Sequence, residues 1–110
     1  MSLEPIALGE FEQLVLLAVL CAGPDTDAYG VNVHAELQKR TKRRVARGAV
    51  YMTLDRLEKK GLLSSYLTDP TPERGGRAKR CYRVTRSALA ALRASRRALL
   101  SLWEGVRVEI

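Results

Sequence analysis

The stretch "LGEFEQLVLLAVLC", residues 8 to 21, constrains this chain most. Phe11, Leu14, Val15 and Ala18 recur at helical spacing on one side, while Leu16, Leu17, Val19 and Leu20 fill the others. A helix that is apolar nearly all round must be covered on more than one face. A chain of 110 residues makes one domain with one modest core, so the helix hints at a second subunit. The longest apolar run, "LVLLAVLCAG", has ten residues and is too short to cross a bilayer. Acids rather than bases precede it, so it reads poorly as an export signal, and no membrane partner is expected. Cytoplasmic localisation follows as the expectation, with Cys21 and Cys81 as reduced, semi-buried thiols.

Charge is distributed unevenly. The chain carries 19 Lys and Arg against 12 Asp and Glu, a net charge of +7. Residues 1 to 27 contain five acids and no base, so residues 28 to 110 carry +12. A one-sided field of that size favours a polyanion, nucleic acid ahead of an anionic membrane.

Past the turn "AGPDTD", a second helix is expected from Ala28 to Arg40, with Asp27 as N-cap and Tyr29, Val33 and Leu37 on its inner side. The basic run "KRTKRR" follows at residues 39 to 44. The stretch "RGAVYMTLDRLEKKGLL" reads as a third helix with Val50, Leu54 and Leu57 buried. Gly61 suits the left-handed position after it, and Leu62 closes the cap. Two short runs, "LLSSYLT" and "KRCYRVT", predict a hairpin whose loop bears Arg74, Arg77, Lys79 and Arg80. Thr85 caps a last helix to about Val106, with Leu89, Leu92, Leu99, Trp103 and Val106 on one stripe.

The expected fold is therefore mainly α with a small β-hairpin. It is a winged helix-turn-helix over residues 1–85, followed by a C-terminal helix over 86–110. In such a unit the second helix of the helix-turn-helix enters the major groove of double-stranded DNA. Arg47, Tyr51, Met52, Arg56 and Lys59 are then the candidates for contact on the third helix, with Arg56 favoured for a guanine edge. Lys42, Arg43, Arg44, Arg74, Arg77 and Lys79 are the candidate phosphate contacts, which position the protein without reading sequence.

The segments "LGEFEQLVLLAVL", "AYGVNVHAEL", "GAVYMTLDRLEKKGLL" and "TPERGGRAKRCYRVT", in this order and spacing across residues 8 to 85, resemble the PadR-like family of bacterial transcriptional regulators. The resemblance implies a winged-helix regulator, usually a repressor, that binds a pseudo-palindromic operator as a homodimer. The single last helix is similar to the short branch of that family. Gly48, Val50 and Tyr51 match its "GxVY" helix start, and Arg74 to Arg80 match its wing. Dimer contacts are then implied for Phe11, Leu16, Leu20, Leu92, Leu99 and Trp103. Two positions depart from the pattern. Ala46 stands where a Ser or Thr cap is frequent, a loss on the order of 1 kcal/mol, and Arg86 stands where Pro is common.

Blander readings stand beside these. Trp103 either packs in a dimer seam or lines a pocket for a small, flat hydrophobic effector. "ERGGRAKR" lacks a phosphate-loop pattern and leads into a strand, so no nucleotide is expected. His34 has no ligand cluster or catalytic partner around it, and the cysteines lack metal-ligand spacing. No cofactor, metal or enzymatic activity is expected. The rivals are a winged helix that binds protein or RNA, and a thiol sensor using Cys21 and Cys81.

Overall fold

The computed structural model describes residues 7–23, 28–68 and 78–107. The chain order is α1 (Glu10–Ala22), α2 (Gly30–Thr41), α3 (Arg47–Lys59), β1 (Leu63–Leu67), β2 (Arg80–Val84) and α4 (Arg86–Glu104). Three helices surround one core, a two-stranded antiparallel hairpin closes one side, and α4 leaves from the base of the hairpin.

Helix α1 starts at Glu10 because Gly9 is extended and its N–H donates to the Glu12 carboxylate at 3.1 Å. Its uniform apolar sequence resolves into two faces. Val15, Leu16, Ala18, Val19 and Ala22 are buried, whereas Leu17 and Leu20 are 45% and 39% exposed. Leu16 is therefore corrected from a dimer contact to a core residue, because it shares the inward side with Val15 and Val19. Leu92 likewise lies mostly in the chain's own core, and Phe11 packs half-buried against it.

Helix α2 begins two residues later than its apolar pattern suggests. The Ala28 carbonyl accepts from Tyr82 N at 2.8 Å, and Tyr29 forms a bridge with Cys81, so both are held extended beside β2. Tyr29 then takes the N-cap position, its N–H donating to the Asn32 side chain at 2.7 Å. The expected cap, Asp27, lies outside the described residues.

Helix α3 ends as expected. Gly61 N donates to Glu58 O at 3.0 Å and Leu62 N to Leu57 O at 2.9 Å, the paired bonds of a Schellman cap. Gly61 has a φ of +77°, where a β-carbon is penalised, and Leu62 is fully buried beneath the turn.

The hairpin pairs Leu63 with Val84 and Leu67 with Arg80, and the ladder continues through Thr68 and Lys79. Arg74 and Arg77, expected in the wing, lie outside the described residues. At the base of the hairpin Thr85 performs three tasks. Its N–H donates to Leu62 O at 3.2 Å, and its hydroxyl donates to Gly61 O at 2.9 Å while accepting from Ala88 N at 3.3 Å. One residue thus joins the end of α3 to the start of α4. Ala88, Ala91 and Leu92 seat the first half of α4 on the core, and every residue from Arg96 to Arg107 is exposed.

Two acids of α1 tether opposite ends of α3. Glu10 pairs with Arg43 in the turn before it, and Glu12 with Lys60 after it, both at 2.7 Å. The hydrogen bond from Lys60 holds the Glu12 carboxyl below its ordinary value, against the opposing effect of burial. A lowered carboxylate stabilises the fold above its unfolded value and loses that contribution as pH falls through its folded value. Glu12→Gln should lower thermal stability near neutrality by about 0.5–1 kcal/mol. The gap from wild type should narrow between about pH 5 and pH 3, as followed by circular dichroism melts. A gap that stays constant across this range would show that the pair contributes nothing.

Candidate nucleic-acid interface

The turn between α2 and α3, residues 42–46, is gripped by α2. Lys42 adopts a left-handed conformation with φ of 59°, and its N–H donates to Gln38 O at 2.9 Å. Gln38 then accepts from Val45 N at 2.9 Å, while His34 Nε2 donates to Val45 O at 2.6 Å. Two side chains one helical turn apart thus satisfy both backbone groups of Val45 and leave the turn little freedom. Residues Lys42, Arg43 and Arg44 project outward from it. Sequence reasoning left His34 without a role; its i, i+4 spacing to Gln38 on α2 was the available signal.

Burial of Val50, Thr53, Leu54 and Leu57 sets the rotation of α3. The opposite line runs Gly48, Met52, Asp55 and Lys59, at i, i+4, i+7 and i+11, and all four are exposed. Met52 is 67% exposed there. Asp55 and Lys59 pair at 3.4 Å, so the middle of this face is nearly neutral. Arg47 and Tyr51 lie on one shoulder and Arg56 on the other, where its charge reaches Glu12. The structure brings the expected residues to one side of the molecule, but puts Arg56 at the flank and Asp55 on the centre line.

Tyr51 is seated by a glycine. A β-carbon on Gly30 would lie 2.0 Å from Tyr51 Cε1, so the ring rests directly on the start of α2 while 42% of the residue stays exposed. The wing base is similarly tied down. Lys79 Nζ lies 3.9 Å from the centre of the Tyr29 ring, and Arg83 sits 4.4 Å from that of Tyr66. Arg80 reaches Glu58 at 3.7 Å. By contrast, Lys42, Arg44, Arg47 and Arg56 make no ion pair among the described residues.

A second feature lies on the far side. Leu17, Leu20, Leu89, Leu92, Leu99 and Trp103, with Gln13, Arg93, Arg96 and Leu100, line a groove of about 570 Å3 between α1 and α4. Trp103 and Leu99 are 63% and 54% exposed there.

A family model described as the transcriptional regulator PadR-like family matches residues 16–94, from α1 into α4. Across 96 residues the chain is 41% identical to the transcriptional regulator Rv3488 of Mycobacterium tuberculosis, covering 84% of this chain and 83% of that protein. The chain belongs to the PadR-like family. Its fold is that of solved PadR structures. A PadR family transcription regulator from Clostridium difficile R20291 superposes with a TM-score of 0.67 at 20% identity, over 87% of this chain and 93% of that one. A PadR-like regulator from Bacillus cereus gives 0.67 at 20% identity, over 86% and 85%. PadR-like proteins are transcriptional regulators, not enzymes. Among the described residues no helix is long and apolar enough to cross a membrane.

One element of this PadR-like face is underbuilt. Ala46 is the N-cap of α3 and provides no side-chain acceptor. Its extended backbone, φ −67° and ψ 138°, is the conformation a capping serine adopts. Ala46→Ser should therefore stabilise the protein by about 1 kcal/mol, a rise in Tm of about 4 °C. An unchanged Tm would mean that the hydroxyl does not reach the Ala49 N–H.

Proposed function

We propose that the protein is a homodimeric, operator-binding transcriptional regulator that acts as a repressor. In this reading α3 enters the major groove of a pseudo-palindromic double-stranded DNA site, and the hairpin lies along the adjacent backbone. The observation that carries it is the set of exposed cations around α3 that make no ion pair among the described residues. Lys42, Arg44 and Arg47 surround its start and Arg56 its flank, while Arg43 and Lys60 are committed to α1. Free cations over a held backbone turn suit phosphates, which supply affinity through counterion release. Met52, Asp55 and Lys59 are then the side chains that meet base edges: a thymine methyl, a cytosine amino group and a guanine edge, respectively. Lys79 and Tyr51, fixed on Tyr29 and Gly30, take phosphate positions beside them.

The homodimer rests on α4. A helix segment exposed on all sides from Arg96 onward, bearing Leu99, Leu100, Leu102 and Trp103, lacks the packing that keeps short helices formed in water. A second copy laid into the α1–α4 groove covers those residues together with Leu17 and Leu20, and two-fold symmetry makes the contact self-complementary. The two α3 helices then stand about 34 Å apart, one turn of duplex. A flat hydrophobic effector would enter this groove beside Trp103.

Fluorescence anisotropy against DNA upstream of its own gene and against scrambled DNA, across salt, tests the DNA reading. Tight binding to the upstream DNA with steep salt dependence on both is expected. Lys42→Ala should lower the slope of log K against log salt by about 0.9 on either DNA. Absence of binding to either DNA at low salt would overturn the proposal in favour of a protein-binding winged helix. For the dimer, sedimentation should give two copies for wild type, and Leu99→Asp/Trp103→Asp should give a folded monomer. A monomeric wild type at micromolar concentration would remove the dimer.

A further inference from the structure

Gly30, Gly48 and Gly61 lie in or beside the helices of the helix-turn-helix, and the chain itself accounts for only two of them. Gly61 has a positive φ, and Gly30 must leave room for the Tyr51 ring. Gly48 meets neither condition. It is the second residue of α3, its φ is not positive, and a β-carbon built on it meets nothing within 4 Å. Glycine at a helical position is less favourable than alanine, because it has more backbone freedom to lose. Intramolecular packing does not require that cost. Gly48 also stands at the head of the outward line, one turn before Met52.

We propose that Gly48 is a close-approach position for DNA. Without a side chain there, the backbone of the first turn of α3 can lie against the edge of the major groove. The depth of that approach sets how far Met52, Asp55 and Lys59 reach towards the base edges. The inference rests on the DNA reading above and adds one residue to it, a positioning residue that acts through clearance rather than through a bond. A β-carbon at 48 holds the helix away from the duplex, and the loss grows with the size of the side chain. It falls mainly on the operator, since non-specific binding depends on phosphate charge more than on fit.

The experiment compares wild type, Gly48→Ala and Gly48→Leu, with Ser87→Ala, an exposed second position of α4, as control. Thermal melts should place Gly48→Ala about 4 °C above wild type. Anisotropy should show its affinity for upstream DNA reduced by about tenfold, and that of Gly48→Leu by about a hundredfold. Binding of scrambled DNA should change by less than about threefold, and Ser87→Ala should bind as wild type. If wild type binds the upstream DNA selectively and Gly48→Leu binds it equally well, the inference falls and the DNA reading stands. If wild type shows no selectivity, the DNA reading falls first and takes the inference with it. A lower Tm for Gly48→Ala would show that the fold itself needs the glycine, which also overturns the proposal.

Discussion

The rotation of α3 about its own axis is set by three fully buried side chains, Val50, Leu54 and Leu57. A helix allows no independent choice of its faces, so burying these three places Gly48, Met52, Asp55 and Lys59 outward. They share one core with Val15 and Leu16 of α1, Val33 and Leu37 of α2, and Leu62 from beyond the cap. Any core substitution that turned α3 by one residue would replace the outward line with an unrelated set. The core thus acts on function by choosing which side chains face outward.

Packing sets the rotation, and polar contacts set the position of the helix ends. Ahead of α3, His34 and Gln38 hold Val45 by its two backbone groups. Behind it, the Gly61–Leu62 cap is tied to Thr85 and through it to α4. Glu10 and Glu12 then bind one cation on each side. The acid-only start of the chain does more than leave the remainder positive, because it draws two of the bases into structural pairs. Lys42, Arg44, Arg47 and Arg56, around α3, make no ion pair among the described residues.

Features written in local chemistry were readable from the sequence. The apolar stripe of α3, its glycine stop, the two strand segments and the Thr85 cap each occupy a few adjacent residues, and the structure holds them as expected. Features decided across the fold were not. The start of α2 moved because Tyr82, far along the chain, draws Ala28 and Tyr29 to the sheet edge. The phase of α1 was unreadable because Leu16 and Leu17 are the same residue type, and only packing distinguishes the buried one from the exposed one. Free and paired cations were equally indistinct, since Arg43 and Lys60 meet their acids across 33 and 48 residues. The wing falls between these cases: its strands were legible, but the Tyr29 ring that seats Lys79 comes from a distant part of the chain.

Helix α1 is the element that both surfaces share. Its inner side is the core against which α3 is registered, and the two acids of its first turn hold the bases that flank α3. Its outer side, Leu17 and Leu20, forms one wall of the groove whose other wall is α4. A rigid thirteen-residue helix cannot tilt at one face and stay still at the other. Whatever fills that groove therefore bears on the same body that orients α3. The sequence that looked over-supplied with apolar residues has the composition this arrangement needs, because one side of α1 serves the core and the other the groove.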